Sequence, residues 1–150
     1  MLYANPEHVD GLDDTYFYHR MMLPGHGLVG RDWDMRGRED AYLGGVELDG
    51  RRVLEIAPAS RLLTFHTEAR GGEVVAVDLP EGSRWHMVPH ARLDPEVVRA
   101  WEDTMRRMRR GFWLAHRLHS SRARVVYADA GALPDEDVLR LGAKTEQPPD

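Results

Sequence analysis

Three acidic residues lie within or directly after short apolar runs of the sequence. Glu55 lies inside the run VLEI, Asp78 directly follows VVAV, and Asp129 directly follows RVVYA. A carboxylate inside an apolar strand needs a partner to be buried at all, which favours a functional role for Glu55. An acid that closes a strand suits bidentate hydrogen bonding to a ribose diol. The alternative for Asp78 and Asp129 is that each simply caps the end of its strand.

The stretch from Arg52 to Asp78 has the pattern of a strand, a helix and a second strand. VLEI and VVAV are short apolar runs typical of buried strands, and Ser60 between them is a good helix N-cap. The pair Gly71–Gly72 supplies the chain reversal that ends the helix. Such a βαβ unit places a helix N-terminus and the strand ends at one edge of a parallel sheet, where nucleotide-like ligands bind.

EIAPAS followed by a helix and VVAVD resembles the cofactor-binding half of class I S-adenosylmethionine-dependent methyltransferases. The resemblance implies that Glu55 and the turn after it hold the methionine end of the cofactor. It implies that Asp78 holds the ribose hydroxyls and that Asp129 and Ala130 hold the adenine. The cofactor-binding residues implied in this way are Glu55, Ala57, Ala59, Ser60, Arg61, Asp78, Leu79, Asp129 and Ala130.

A leader precedes this unit. Its motifs HRMMLPGHG, WDMR and YLGG resemble the leader of a subset related to uridine-modifying tRNA methyltransferases. The resemblance implies that this leader folds over the cofactor and lines the substrate side, and that the substrate is a small molecule or RNA. The alternative is that its aromatic residues merely cover the sheet.

The turn after the first strand departs from the family pattern, because Ala57 and Arg61 stand where that pattern has glycine. Glycine at such places accepts a positive φ and lets the backbone approach a ligand closely. The side chain of Arg61 would either occupy the methionine pocket or swing out and pair with the cofactor carboxylate.

Composition sets the broad class. The chain has 150 residues, 42% of them hydrophobic, which suits one domain with a core. Its formal net charge of −5 argues against general attraction to nucleic acid or to a membrane surface. The sequence has no cysteine, no apolar run of membrane-spanning length and no signal peptide, so we expect a cytoplasmic protein without a thiolate metal site.

Two charged segments have competing interpretations. A long amphipathic helix starts at Asp94–Pro95 and carries the run RRMRR, which is either a solvated face or a phosphate-binding face. His86 and His90 lie four residues apart, but Pro89 between them disfavours a regular helix, so packing is favoured over metal binding.

We expect an α/β chain with a partial Rossmann-like methyltransferase sheet of parallel strands in the order 3-2-1. A leader covers residues 1–45, with a mobile or loosely packed arm over 1–14. The incomplete half-domain covers 46–141, and a disordered tail covers 142–150. No fourth strand is evident to border the first, so we expect that edge to self-associate unless the leader or segment 135–141 covers it.

The function that the resemblance implies is that of an S-adenosylmethionine-dependent methyltransferase, truncated or with weakened activity. One alternative is a non-catalytic interaction protein derived from a methyltransferase half-fold and binding through the exposed edge. A second is an NAD-dependent oxidoreductase, which the missing G-x-G-x-x-G motif and the pair Asp129–Ala130 disfavour.

Overall fold

The computed structural model describes residues 3–83 and 94–142. In chain order the elements are β1 (Met21–Leu23), β2 (Gly27–Val29), α1 (Glu39–Tyr42), β3 (Arg52–Ile56), α2 (Leu62–Ala69), β4 (Glu73–Asp78), α3 (Pro95–Leu118), β5 (Arg124–Tyr127), a 3₁₀ turn (Ala130–Ala132) and α4 (Asp135–Gly142). The predicted residues His86 and His90 and the tail 143–150 lie outside the described residues.

The central feature is a three-stranded sheet in which β4 lies between β3 and β5 and both pairs are parallel. Each strand therefore pairs with the one that follows it in the sequence, and the crossovers are made by α2 and α3. β1 and β2 form a separate antiparallel hairpin in the leader. The prediction of an α/β chain with a short parallel sheet and flanking helices is confirmed.

Successive side chains of a strand point to opposite faces of the sheet, so both faces carry apolar side chains. Helices cover both of these faces. On one face Val125 packs in a cluster with residues of α2 and α3, where the rings of Phe65 and Phe112 stack with centroids 6.1 Å apart. On the other face Val75 and Val77 pack with Leu141 of α4. The segment after residue 134 is therefore a helix that buries an apolar residue against the sheet.

α3 begins as the sequence predicts, with the Asp94 side chain accepting a hydrogen bond from the backbone N–H of Glu96 at 2.8 Å and proline at the first helical position. It runs unbroken through Gly111. A Cβ atom on Gly111 would lie 2.7 Å from the carbonyl oxygen of Tyr16, so glycine is required where the leader crosses the helix. Within the described ranges, no helix is long and apolar enough to cross a membrane.

The prediction of a mobile or loosely packed N-terminal arm is wrong for its described part. Val9 is 1% exposed, and its carbonyl oxygen accepts a hydrogen bond from Nη2 of Arg117 at 2.7 Å. The backbone N–H of Ala4 donates to the carbonyl oxygen of Val125 at 2.8 Å. These contacts of Ala4 and Val9, which composition alone does not reveal, hold the segment against β5 and α3 although most of its other residues are exposed.

Three of the four arginines of the RRMRR run hold the leader in place. Arg106 donates to both carboxylate oxygens of Asp14, at 2.5 and 2.7 Å, and lowers the pKa of that acid. Nε of Arg110 lies 3.4 Å from the same carboxylate, and Arg107 donates to the carbonyl oxygen of Thr15 at 3.2 Å. This side of α3 is thus neither a purely solvated face nor a free basic patch.

β3 is the exposed edge of the sheet. α4 contacts β3, but Leu54 is 38% and Ile56 60% exposed. These two side chains lie in register with Val75 and Val77 and so point to the α4 side. No described residue pairs with β3 on the side away from β4. α4 therefore covers the edge only in part.

We predict that the chain self-associates through this edge at micromolar concentration, because unpaired strand groups beside exposed apolar side chains favour pairing with another strand. The variant Leu54→Lys/Ile56→Lys should shift sedimentation toward the monomer. Val46, which is 59% exposed and lies outside the strand, gives the matched control Val46→Lys. A wild-type protein that sediments as a monomer would contradict the prediction.

Candidate functional site

A cavity of about 930 Å³ opens at the carboxyl ends of β3 and β4. Its walls come from the leader, the turn after β3, the segment after β4 and residues 99–109 of α3. The predicted residues that line it are Ala57, Ala59, Asp78 and Leu79. Carboxyl ends of parallel strands converge at one edge, which explains how two turns distant in sequence meet at one cavity.

The turn between β3 and α2 has an unusual backbone. Ala57, Ala59 and Arg61 have φ values of +52°, +51° and +64°. Positions 57 and 61 therefore have the positive φ that favours glycine, as the sequence predicts. Ala59 is a third such position, which the sequence did not indicate. Each non-glycine residue in this region costs about 1–2 kcal/mol. The surrounding contacts must hold the turn in place.

Ser60 does not cap α2, so that prediction is wrong. The N-cap residue is Arg61, which makes no side-chain capping bond. Ser60 is fully buried, and its Oγ accepts a hydrogen bond from the backbone N–H of His19 at 2.7 Å and lies 3.1 Å from Nδ1 of the same residue. Burial lowers the pKa of His19. The serine thus fastens the leader to the turn instead of starting the helix.

Arg61 points into the interior of the protein. Its side chain is fully buried, and Nη2 donates to Oδ2 of Asp78 at 2.9 Å. The guanidinium carbon lies 3.6 Å from the centroid of the Phe112 ring, a cation–π contact. Arg61 does not line the cavity, so its side chain is not swung out toward a ligand.

Not all hydrogen-bond donors of the buried Arg61 side chain have partners. Its Nε and Nη1 atoms have no hydrogen-bond partner among the described residues. Burial lowers the pKa of Arg61, and the neighbouring Asp78 carboxylate opposes that shift. A buried cation with one hydrogen bond is costly, and native proteins seldom leave such groups unsatisfied without a reason.

Glu55 lies on the α2 face of the sheet and has the partner that its burial requires. Its Oε2 accepts a hydrogen bond from Oγ1 of Thr64. Burial raises the pKa of Glu55 to about 7, while Thr64 and the charge of Arg61 act in the opposite direction. Glu55 lies beneath the turn and outside the cavity lining, so contact with a ligand remains a prediction.

Of the three predicted acids, Asp78 is the one that lines the cavity. Oδ1 accepts from the backbone N–H of Leu79 at 2.9 Å, and Oδ2 accepts from Arg61. Its side chain is 29% exposed. A carboxylate offers about four acceptor positions, so each oxygen can still accept a further hydrogen bond.

Asp129 and Ala130 lie apart from these residues and do not line the cavity. Oδ1 of Asp129 accepts from the backbone N–H of Gly131 at 2.9 Å and caps the short 3₁₀ turn. This favours the capping interpretation of Asp129. The predicted contact with an adenine ring remains a prediction.

Sequence reasoning missed Arg109. It lines the cavity, donates from Nη2 to the carbonyl oxygen of Leu79 at 2.8 Å, and places its guanidinium carbon 4.0 Å from the centroid of the Tyr127 ring. The RRMRR run contained the signal, but charge pattern alone does not show which arginine turns inward. Tyr16 and Tyr18 of the leader also line the cavity.

Compared with known proteins, the chain matches no protein-family model, no curated protein and no solved structure. Over residues 3–83 and 94–142, no group of three or more histidine, cysteine, aspartate or glutamate side chains is placed to hold a metal ion. The contacts described above are therefore the basis for any functional proposal.

We predict that Ala57→Gly and Ala59→Gly each stabilise the protein by about 1 kcal/mol. Glycine removes the steric cost of a positive φ at the expense of a smaller entropic cost. Ala100, exposed within α3, provides the control: Ala100→Gly should destabilise by about 1 kcal/mol. Free energies of unfolding from urea titration give the comparison, and a loss of stability in both turn variants would be the contrary result.

We predict that Glu55 contributes a loss of stability as pH rises from 4.5 to 7, because this residue has a pKa of about 7 when folded and an ordinary value of 4.5. In this window the folded state holds a proton that the unfolded chain has released. The pKa difference corresponds to about 3 kcal/mol. Glu55→Gln should lack this decline in thermal unfolding, whereas exposed Glu47→Gln should keep it. Parallel curves for Glu55→Gln and the wild type would refute the assignment.

Proposed function

We propose that this chain binds S-adenosylmethionine at the cavity and is the cofactor-binding half of a class I methyltransferase. One observation carries the proposal. Ala57, Ala59, Asp78 and Leu79, implied as cofactor-binding residues by the sequence, line a single cavity at the carboxyl edge of parallel strands. The volume of about 930 Å³ lies within the range of small-molecule sites.

The positions of the cavity residues indicate which part of the cofactor each would bind. The oxygens of Asp78 can accept hydrogen bonds from the two hydroxyls of a ribose. The backbone of Ala57 and Ala59 would support the methionine end, rather than the side chains of half-buried Glu55 and of buried Ser60 and Arg61. The N-terminus of α2 follows this turn and favours a carboxylate.

S-adenosylmethionine supplies a methyl group already activated on its sulfonium. The protein's part is to bind the cofactor, to orient it toward an acceptor and to exclude water, which requires positioning and no covalent intermediate. Tyr16 and Tyr18 place the leader on the cavity wall, the position proposed for the acceptor side. The cysteine-free composition is in keeping with a cytoplasmic location.

A second candidate is a non-catalytic interaction protein. The exposed side chains of Leu54 and Ile56 on an unpaired edge favour it, because a sheet edge is a template for strand addition. The two candidate functions depend on different parts of the structure, since cofactor binding requires the cavity and association requires the edge strand β3. Calorimetric titration and sedimentation therefore test them separately.

We predict that Asp78→Asn weakens binding of S-adenosylhomocysteine by about 1–3 kcal/mol, because the ribose diol loses a charged acceptor. Isothermal titration calorimetry of the folded variant measures this loss. Glu81→Gln is the matched control, since it removes the same charge from the same cavity lining. Equal losses in both variants would indicate a general electrostatic effect, and an unchanged affinity in Asp78→Asn would remove Asp78 from the site.

A further inference from the structure

We propose that Arg61 is a positioning residue that fixes the carboxylate of Asp78 for a vicinal diol, and so sets the preference of the cavity for ribosyl ligands. The inference rests on the proposed function, because it assigns the diol of the bound nucleoside to Asp78. It concerns a side chain that does not touch the ligand and acts through its neighbour.

The carboxylate of Asp78 is held at both oxygens by donors of different kinds. The Leu79 N–H is part of the backbone and remains in any variant, whereas the Arg61 Nη2–H belongs to a side chain. With only the backbone donor, the carboxylate could turn about its side-chain bonds. With both donors, its plane is fixed and one acceptor position on each oxygen remains for a ligand.

Arg61 is itself held rigidly, which makes it an effective support. Its side chain has no exposed surface, and its guanidinium lies against the Phe112 ring at 3.6 Å. Its φ of +64° fixes the direction in which the side chain leaves the turn. A support that is locked by packing holds a binding group more accurately than one in solvent.

The unsatisfied atoms of Arg61 argue against a purely structural role. An arginine retained for stability would use most of its five N–H donors, yet Nε and Nη1 have no partner among the described residues. An apolar side chain of similar size would fill the same space without this cost. Local violations of this kind concentrate at functional sites.

The interaction predicts coupling between Arg61 and Asp78 in ligand binding. Arg61→Met keeps much of the side-chain volume and removes the donor. We expect it to weaken binding of S-adenosylhomocysteine at least tenfold in the wild-type background. In an Asp78→Asn background, where the charged acceptor is already lost, the same change should weaken binding less than twofold.

The test is a double-mutant cycle measured by calorimetry, with Arg109→Met as the matched control. Arg109 also lines the cavity and bonds to the carbonyl of Leu79, but it does not bond to Asp78. Its effect should be the same in both backgrounds. Arg61→Lys, which retains a charged donor, should recover part of the affinity.

A ligand-side measurement covers the case in which Arg61→Met does not fold. The preference for adenosine over 2′,3′-dideoxyadenosine should be about tenfold or more in the wild type and smaller in Arg61→Lys. An unchanged preference in Arg61→Lys, or equal losses from Arg61→Met in both backgrounds, would overturn the inference and leave the proposed function standing. A wild-type protein that binds none of these ligands would overturn both.

Discussion

The ion pair between Arg61 and Asp78 is the interaction on which the arrangement of this molecule depends. A fully buried guanidinium needs a counter-charge, and Asp78 at the end of β4 supplies it across the mouth of the turn after β3. The pair therefore ties the first strand of the sheet to the second at the edge where the cavity opens. Arg61 belongs to the turn in which Ala57, Ala59 and Arg61 itself have left-handed backbone conformations, which the surrounding contacts must maintain.

The leader is the second constraint, and it is joined to the same region. Ser60 is bonded to His19, Gly111 allows Tyr16 to cross α3, and Arg106 holds Asp14. Three contacts from two elements, the turn after β3 and helix α3, thus fix one leader segment. This explains why the leader forms a wall of the cavity even though β1 and β2 do not join the parallel sheet.

The sequence allowed the sheet, its crossover helices and four cavity-lining residues to be predicted, because strand periodicity, the Asp94–Pro95 helix start and the position of Asp78 are local signals. The inward direction of the Arg61 side chain and the role of Ser60 could not be predicted from local signals. Both depend on partners, Phe112 and His19, about 40–50 residues away in the chain. The packed N-terminal arm was missed for the same reason, since its anchors are Arg117 and β5.

The two edges of the sheet differ, and this difference limits how copies of the chain can assemble. The outer side of β5 is met by the chain's own residue Ala4, whereas the outer side of β3 is open. Two copies that pair β3 with β3 about a two-fold axis would use the edge of the parallel sheet that no described residue pairs with. Such an interface is isologous and closed. Association through β3 would then end at a dimer instead of growing into a filament.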